Sequence, residues 1–234
     1  TPTVVLVHGA FAESASWNDV IKHLYQNQVV SVAVANPLRS VSGDGAYVRD
    51  VLDSIEGPVV LAGHSYGGFV ITEAASHPSV QALVYVSAFA PADGESAFDL
   101  SSKFPGSTLG DALKVYPLSG GGNEFAIRRD VFREQFAADV DVQTAGVMGA
   151  TQRPVTEKAL TEKLQSREPA WKRLPSWFIY GELDRNIPAE LQRFQSERAG
   201  ARDAREIPGA SHALTVSQPV AVASCILEAV KAVS

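Results

Sequence analysis

The chain has 234 residues, 45% apolar and 20% charged, an average soluble composition that excludes a disordered, collagen-like or disulfide-stapled chain. Its 20 Lys and Arg against 26 Asp and Glu leave a net charge of −6, so nucleic-acid binding has no electrostatic support. No apolar run approaches the ~18–20 residues of a membrane-spanning helix, and the single Cys225 excludes an internal disulfide or a cysteine-based zinc cluster.

The chain opens on Thr1-Pro2-Thr3-Val4 without a basic and apolar leader. A cytoplasmic protein is the expectation, although a leader already removed would leave the same opening. Short apolar runs then alternate with amphipathic stretches. Val4–Val7, Val29–Ala35, Val59–Ala62 and Ala82–Val86 read as strands covered on both faces. Helical spacing falls on Trp17, Val20, Ile21, Leu24 and Tyr25, then on Tyr47, Val48, Val51, Leu52 and Ile55, and a third helix runs from Gly67 to about Ser76. This alternation predicts an α/β fold with a doubly wound, mostly parallel sheet.

From about residue 91 to 172 the β-branched runs stop. Helical spacing predicts helices over Glu124–Ala138, Val140–Met148 and Glu157–Ser166. So long a connection between strands predicts an inserted helical lid. The core resumes at residue 173 with the strand Trp177–Tyr180, a helix at Ala189–Arg198, a strand near Ala204–Ile207 and a last helix from Gln218. Residues 1–90 and 173–234 therefore form the core, and 91–172 the lid.

Gly63-His64-Ser65-Tyr66-Gly67 follows the third strand and opens a helix, the setting of a G-x-S-x-G nucleophile elbow. A serine on so sharp a turn is strained and projects its hydroxyl outward, while the flanking glycines make room for crowded backbone. A phosphate loop would need Gly-Lys-Ser/Thr, and a dinucleotide loop G-x-G-x-x-G after the first strand, where His8-Gly9-Ala10-Phe11 stands instead.

Serine needs a base, itself oriented by a third group. Of five histidines, His23 and His77 lie in or at the end of amphipathic helices, His64 adjoins the serine but points away from it, and His8 ends a strand. His212, in the loop after the last strand, shares the carboxyl edge with Ser65, where open α/β sheets bind ligands. For the acid, Asp184 follows the Trp177–Tyr180 strand; Glu182 is the alternative, and Asp203 precedes the next strand on the opposite edge.

The order Ser65, Asp184, His212 is that of α/β-hydrolases. Together with the Val7-His8-Gly9 strand end, Gly181-Glu182-Leu183-Asp184 and Gly209-Ala210-Ser211-His212, it makes the whole chain resemble that superfamily. Val5-Leu6-Val7-His8-Gly9-Ala10 and Trp17 resemble its small esterases related to plant methylesterases and hydroxynitrile lyases. The resemblance implies a sheet of about six strands, lacking the family's first two. It also implies an esterase on small carboxylic esters, needing neither cofactor nor metal. Ser65 would be the nucleophile, His212 the base and Asp184 its orienting acid. The backbone N–H groups of Tyr66 and, by family analogy, Ala10 would form the oxyanion hole.

The lid is rich in aromatic residues, and Phe136, Met148 and Trp171, with Phe11 beside the oxyanion loop, are the candidate substrate contacts. They point to a small apolar ester. Arg128, Arg129 and Arg133 read as a solvated face. Two other readings share the scaffold. Hydroxynitrile lyases carry Thr where this chain has Gly9 and Lys where it has Ala213; a silent hydrolase-like receptor would keep all three residues. Oligomeric state has no sequence signature.

Overall fold

The computed structural model describes residues 1–234. Its first strands and helices follow the apolar periodicity: β1 (Thr3–Val7), α1 (Asn18–Gln26), β2 (Ser31–Val34), α2 (Val41–Asp53), β3 (Val59–His64), α3 (Gly67–Ala74) and β4 (Val80–Val86). The chain then leaves the sheet. The excursion contains α4 (Ala97–Ser101), β5 (Leu113–Pro117), β6 (Asn123–Ile127), α5 (Phe132–Phe136), α6 (Val142–Thr151), β7 (Val155–Thr156) and α7 (Glu157–Thr161). It returns as β8 (Ser176–Gly181), α8 (Ala189–Arg198), β9 (Asp203–Ile207), α9 (Leu214–Ser217) and α10 (Pro219–Ala232).

Six strands form one sheet in the order β2-β1-β3-β4-β8-β9, with every neighbouring pair parallel. Successive side chains of a strand point to opposite faces, and β1 shows the consequence. Val4 and Leu6 join Trp17, Val20 and Leu24 from the α1 side and Val222 and Ile226 of α10. Val5 and Val7 join Val48 and Leu52 of α2, Phe69 of α3 and Leu191 of α8. Each such fully buried side chain stabilises the fold by about 1.5–3 kcal/mol relative to exposure. Parallel pairing also brings the carboxyl ends of β1, β3, β8 and β9 to one rim. No helix is long and apolar enough to cross a membrane.

The excursion is less helical than its spacing predicts. β5, β6 and β7 form a separate three-stranded antiparallel sheet, and a helix over Glu124–Ala138 is not formed. Gly121 and Gly122, at φ 99° and 78°, turn the chain back into a hairpin. Within β6, Phe125 and Ile127 alternate inward, a period of two that a helical reading mistakes for one face. The Glu124 side chain is meanwhile engaged by Arg39 at 2.6 Å and Tyr116 at 2.5 Å. Likewise α7 stops at Thr161 rather than Ser166, and the next residue, Glu162, accepts the Ser42 amide at 2.6 Å at the start of α2.

Candidate active site

β3 ends in a turn where Ser65 adopts the left-handed conformation, φ 57°, a strain of about 1–3 kcal/mol tolerated where surrounding structure dictates it. Here backbone dictates it. A Cβ on Gly63 would lie 2.6 Å from the Gly67 carbonyl oxygen, and one on Gly67 would lie 2.4 Å from that of Val7. The turn is thus pressed between α3 and β1. Gly9, at the end of β1, faces the elbow: a Cβ there would stand 2.6 Å from Ser65 Cβ and 3.2 Å from the Tyr66 nitrogen. The amides of Ala10 and Tyr66, residues only 2% and 1% exposed, donate no hydrogen bond within the protein. Buried N–H groups are rarely left so.

His8 shapes this loop. Its Nδ1–H donates to the Gly9 carbonyl at 2.9 Å and its Nε2 accepts the Asn36 amide at 3.0 Å. Burial pushes its pKa down to about 4, so the ring is neutral at neutral pH. His64 serves the opposite side. Its Nε2–H donates to the His212 carbonyl at 2.9 Å, and burial, then the neighbouring His212, pushes it down to about 3. A carbonyl can only accept, which fixes the tautomer.

Asp184 and His212 meet at the carboxyl ends of β8 and β9. The His212 Nδ1–H donates to Asp184 Oδ2 at 2.7 Å, with both side chains fully buried. Asp184 Oδ1 accepts the amides of Asn186 and Ile187 at 2.8 and 2.9 Å, so the carboxylate is oriented before it orients the ring. His212 Nε2 is buried without a partner. It forms no hydrogen bond to Ser65, although the His64 ring, next to the serine, lies 4.7 Å from the His212 ring. Glu182, the alternative acid, instead accepts the Gly209 amide at 3.1 Å and braces the histidine loop. Asp203 pairs with Arg205 at 2.6 Å at the start of β9, away from the rim. His77 bonds Asp53 and Ser79.

The excursion touches each of these loops. Asp139 accepts the hydroxyl of Ser211, the residue before His212. Gln135 donates to Asn186 Oδ1 at 2.7 Å beside Asp184. The Arg153 carbonyl accepts the Phe11 amide at 3.0 Å, and its amide donates to Ala12. No short-range signal marks Asp139, Gln135 or Arg153, because their partners lie 72, 51 or more residues away.

The four aromatic and sulfur candidates divide. Phe136 stands edge-on to the His212 ring at 4.9 Å. Phe11, at φ 63°, and Met148 line a cavity of about 300 Å³ between α1 and α6. The Trp171 indole N–H donates to the Pro91 carbonyl at 2.8 Å and Arg198 stacks on its ring, so Trp171 packs the excursion onto the body. The excursion leaves Ser65 only 7% exposed.

Residues 4–224 match the model of the alpha/beta hydrolase family. A carbendazim hydrolyzing esterase of Nocardioides sp. (strain SG-4G) is 35% identical over 116 residues, covering 42% of this chain and 47% of that protein. The match thus spans about half the length of that relative. Among solved structures, polyneuridine aldehyde esterase superposes with a TM-score of 0.83 at 22% identity, over 97% of this chain and 99% of that one. A methylesterase from Arabidopsis gives 0.82 at 17%, over 99% of both chains.

Proposed function

This chain belongs to the alpha/beta hydrolase family, and we propose that it is a carboxylic ester hydrolase acting on small apolar esters through an acyl-enzyme on Ser65. The observation that carries the proposal is the Asp184-bound imidazole of His212, whose Nε2 is buried and unpartnered beside the strained elbow. His212 is the base. It takes the Ser65 proton as the hydroxyl oxygen attacks the ester carbonyl, and Asp184 stabilises the imidazolium and holds its tautomer. The Ser65–His212 hydrogen bond closes when substrate is bound, as such bonds tighten in the reacting complex.

The free amides of Ala10 and Tyr66 receive the oxyanion. Each such donor is worth on the order of 10²–10³ in rate because it is fixed before charge develops. His212 then protonates the leaving alcohol, and water attacks the acyl-enzyme by the same route. Residues 91–172 serve as the lid, with Phe136 walling the imidazole side and Phe11 and Met148 receiving an apolar portion of the ester. The match to an esterase of Nocardioides supports the reading as an ester hydrolase.

The test is hydrolysis of p-nitrophenyl acetate together with labelling by a fluorophosphonate. Wild-type protein labels and turns over, and Ser65→Ala does neither, with a loss on the order of 10⁵–10⁶ in kcat. An unlabelled wild-type protein would make the fold a binding module, and cyanide release from mandelonitrile would make it a lyase.

A further inference from the structure

Tyr66 has two ends with different surroundings. Its unpartnered amide faces Gly9 and the oxyanion loop. Its side chain runs away from Ser65, stacks on Phe69 at 6.2 Å between centroids, and ends in a 2.7 Å hydrogen bond from the phenol to Asp44 Oδ2. Asp44 sits in the first turn of α2 and is fully buried. Its other oxygen accepts the Arg39 amide at 3.1 Å, and its own amide donates to Ser40 at 2.8 Å. Arg39 in turn reaches Glu124 and the Pro154 carbonyl in the excursion. The carboxylate is therefore held from the segment before its helix, while the helix bond of its own amide fixes the residue's backbone.

Such a pair is costly. Burial holds the Asp44 carboxyl above its usual range and the Tyr66 phenol well above its own. Two apolar side chains of similar volume would fill the space without desolvating a carboxylate. What apolar packing would lack is direction, because a hydrogen bond to a clamped carboxylate fixes both the distance and the angle of its donor. The backbone between Ser65 and Tyr66 is where direction matters: Ser65 is strained at φ 57°, and rotation of that peptide plane would swing the Tyr66 N–H off the oxyanion.

We infer that Asp44 is a positioning residue, which holds the Tyr66 side chain so that the Tyr66 amide stays aimed at the oxyanion. This role rests on the reading of Ser65 as nucleophile. It involves no contact between Asp44 and substrate.

Tyr66→Phe removes the hydroxyl alone, and Asp44→Asn keeps an acceptor for it. The measurements are kcat and KM for p-nitrophenyl acetate, inhibition by a trifluoromethyl ketone that adds to serine as an oxyanion mimic, and thermal unfolding. Tyr66→Phe and Asp44→Ala are expected to lower kcat on the order of tenfold with KM little changed. The ketone should weaken by the same factor. Asp44→Asn should retain most of kcat, and the double variant Tyr66→Phe/Asp44→Ala should lose no more than either single change. A folded Tyr66→Phe with wild-type kcat and wild-type ketone affinity would overturn the role. So would a lowered unfolding temperature with kcat unchanged in both Tyr66→Phe and Asp44→Ala. If Tyr66→Phe fails to fold, Asp44→Asn and Asp44→Ala decide alone: equal loss in both overturns the role. Wild-type protein that does not label with fluorophosphonate would defeat the nucleophile reading first, and this role with it.

Discussion

Every residue of β3 and β8 in the main sheet is buried, whereas β5 in the excursion has no buried residue at all. The sheet is held by continuous apolar packing on both faces. Above the rim the excursion packs apolar side chains, Phe136 among them against the His212 ring, and adds polar ties to the rim loops: Asp139 to Ser211, Gln135 to Asn186, and Arg153 to Phe11 and Ala12. The sheet thus sets where Ser65, Asp184 and His212 stand, and the excursion braces the loops that carry them. Phe125, Ile127, Phe132 and Phe136 of the excursion share one apolar core with Val5, Val7 and Phe178 of the sheet, and the polar ties add direction to that packing at the rim.

Four substitutions and a change of pH probe that division. The largest effect is expected at the rim itself: Asp184→Asn leaves the fold intact but lowers kcat on the order of 10⁴, since the imidazole loses its tautomer. Steady-state kinetics with circular dichroism checks this, and an active Asp184→Asn would reopen Glu182 as the acid. Next, Gly68→Ala in the core would put a Cβ 1.8 Å from the Phe89 carbonyl oxygen and should cost about 1–3 kcal/mol or more in urea unfolding. Gly146→Ala in α6 meets nothing within 4 Å and should stabilise by about 0.5–1 kcal/mol. Equal effects at the two glycines would erase the contrast.

Acid comes third. His8 and His64 stay neutral in the fold down to about pH 4 and 3, below the ordinary 6.5. As pH falls below about 6.5 the unfolded chain takes up protons that the native state refuses. Each ring can then withdraw up to about 1.4 kcal/mol of stability per pH unit. Asp44, held above its usual range, works the other way at lower pH, because its native form accepts a proton first. The urea midpoint should therefore drop between pH 7 and 5, and a flat profile would contradict the neutral rings. The smallest effect is expected at Asp139→Ala, which frees Ser211 from the excursion. It should cost about 1 kcal/mol of stability while shifting KM more than kcat. A larger loss of stability would show that the Asp139–Ser211 bond supports the shared core and not only the rim loop.

Much of this was legible in the chain because the relevant patterns are short. Val59–Ala62 reads as a strand from four residues, and Gly63–Gly67 reads as an elbow from five. Asp184 and His212 were legible as strand-end residues, because parallel strands deliver their carboxyl ends to one rim. The hairpin at Leu113–Ile127 was not, since Glu124-Phe125-Ala126-Ile127 fits either period and strand pairing decided it. The hydrogen bond that anchors Trp171 was not legible either, because its acceptor, Pro91, lies 80 residues away. Asp44 was silent: it resembles any first-turn helix acid, and its phenol partner stands 22 residues away.

Cys225 lies in α10, fully buried, and burial pushes its thiol up to about 12. Thiolate, not thiol, is what reacts with maleimides and oxidants, so the native protein behaves toward such reagents as if it carried no sulfhydryl. A cysteine introduced at exposed Val147 on α6 would be the sole labelling position. A single dye there would show whether α6 changes its surroundings during turnover, with no background from the natural sequence.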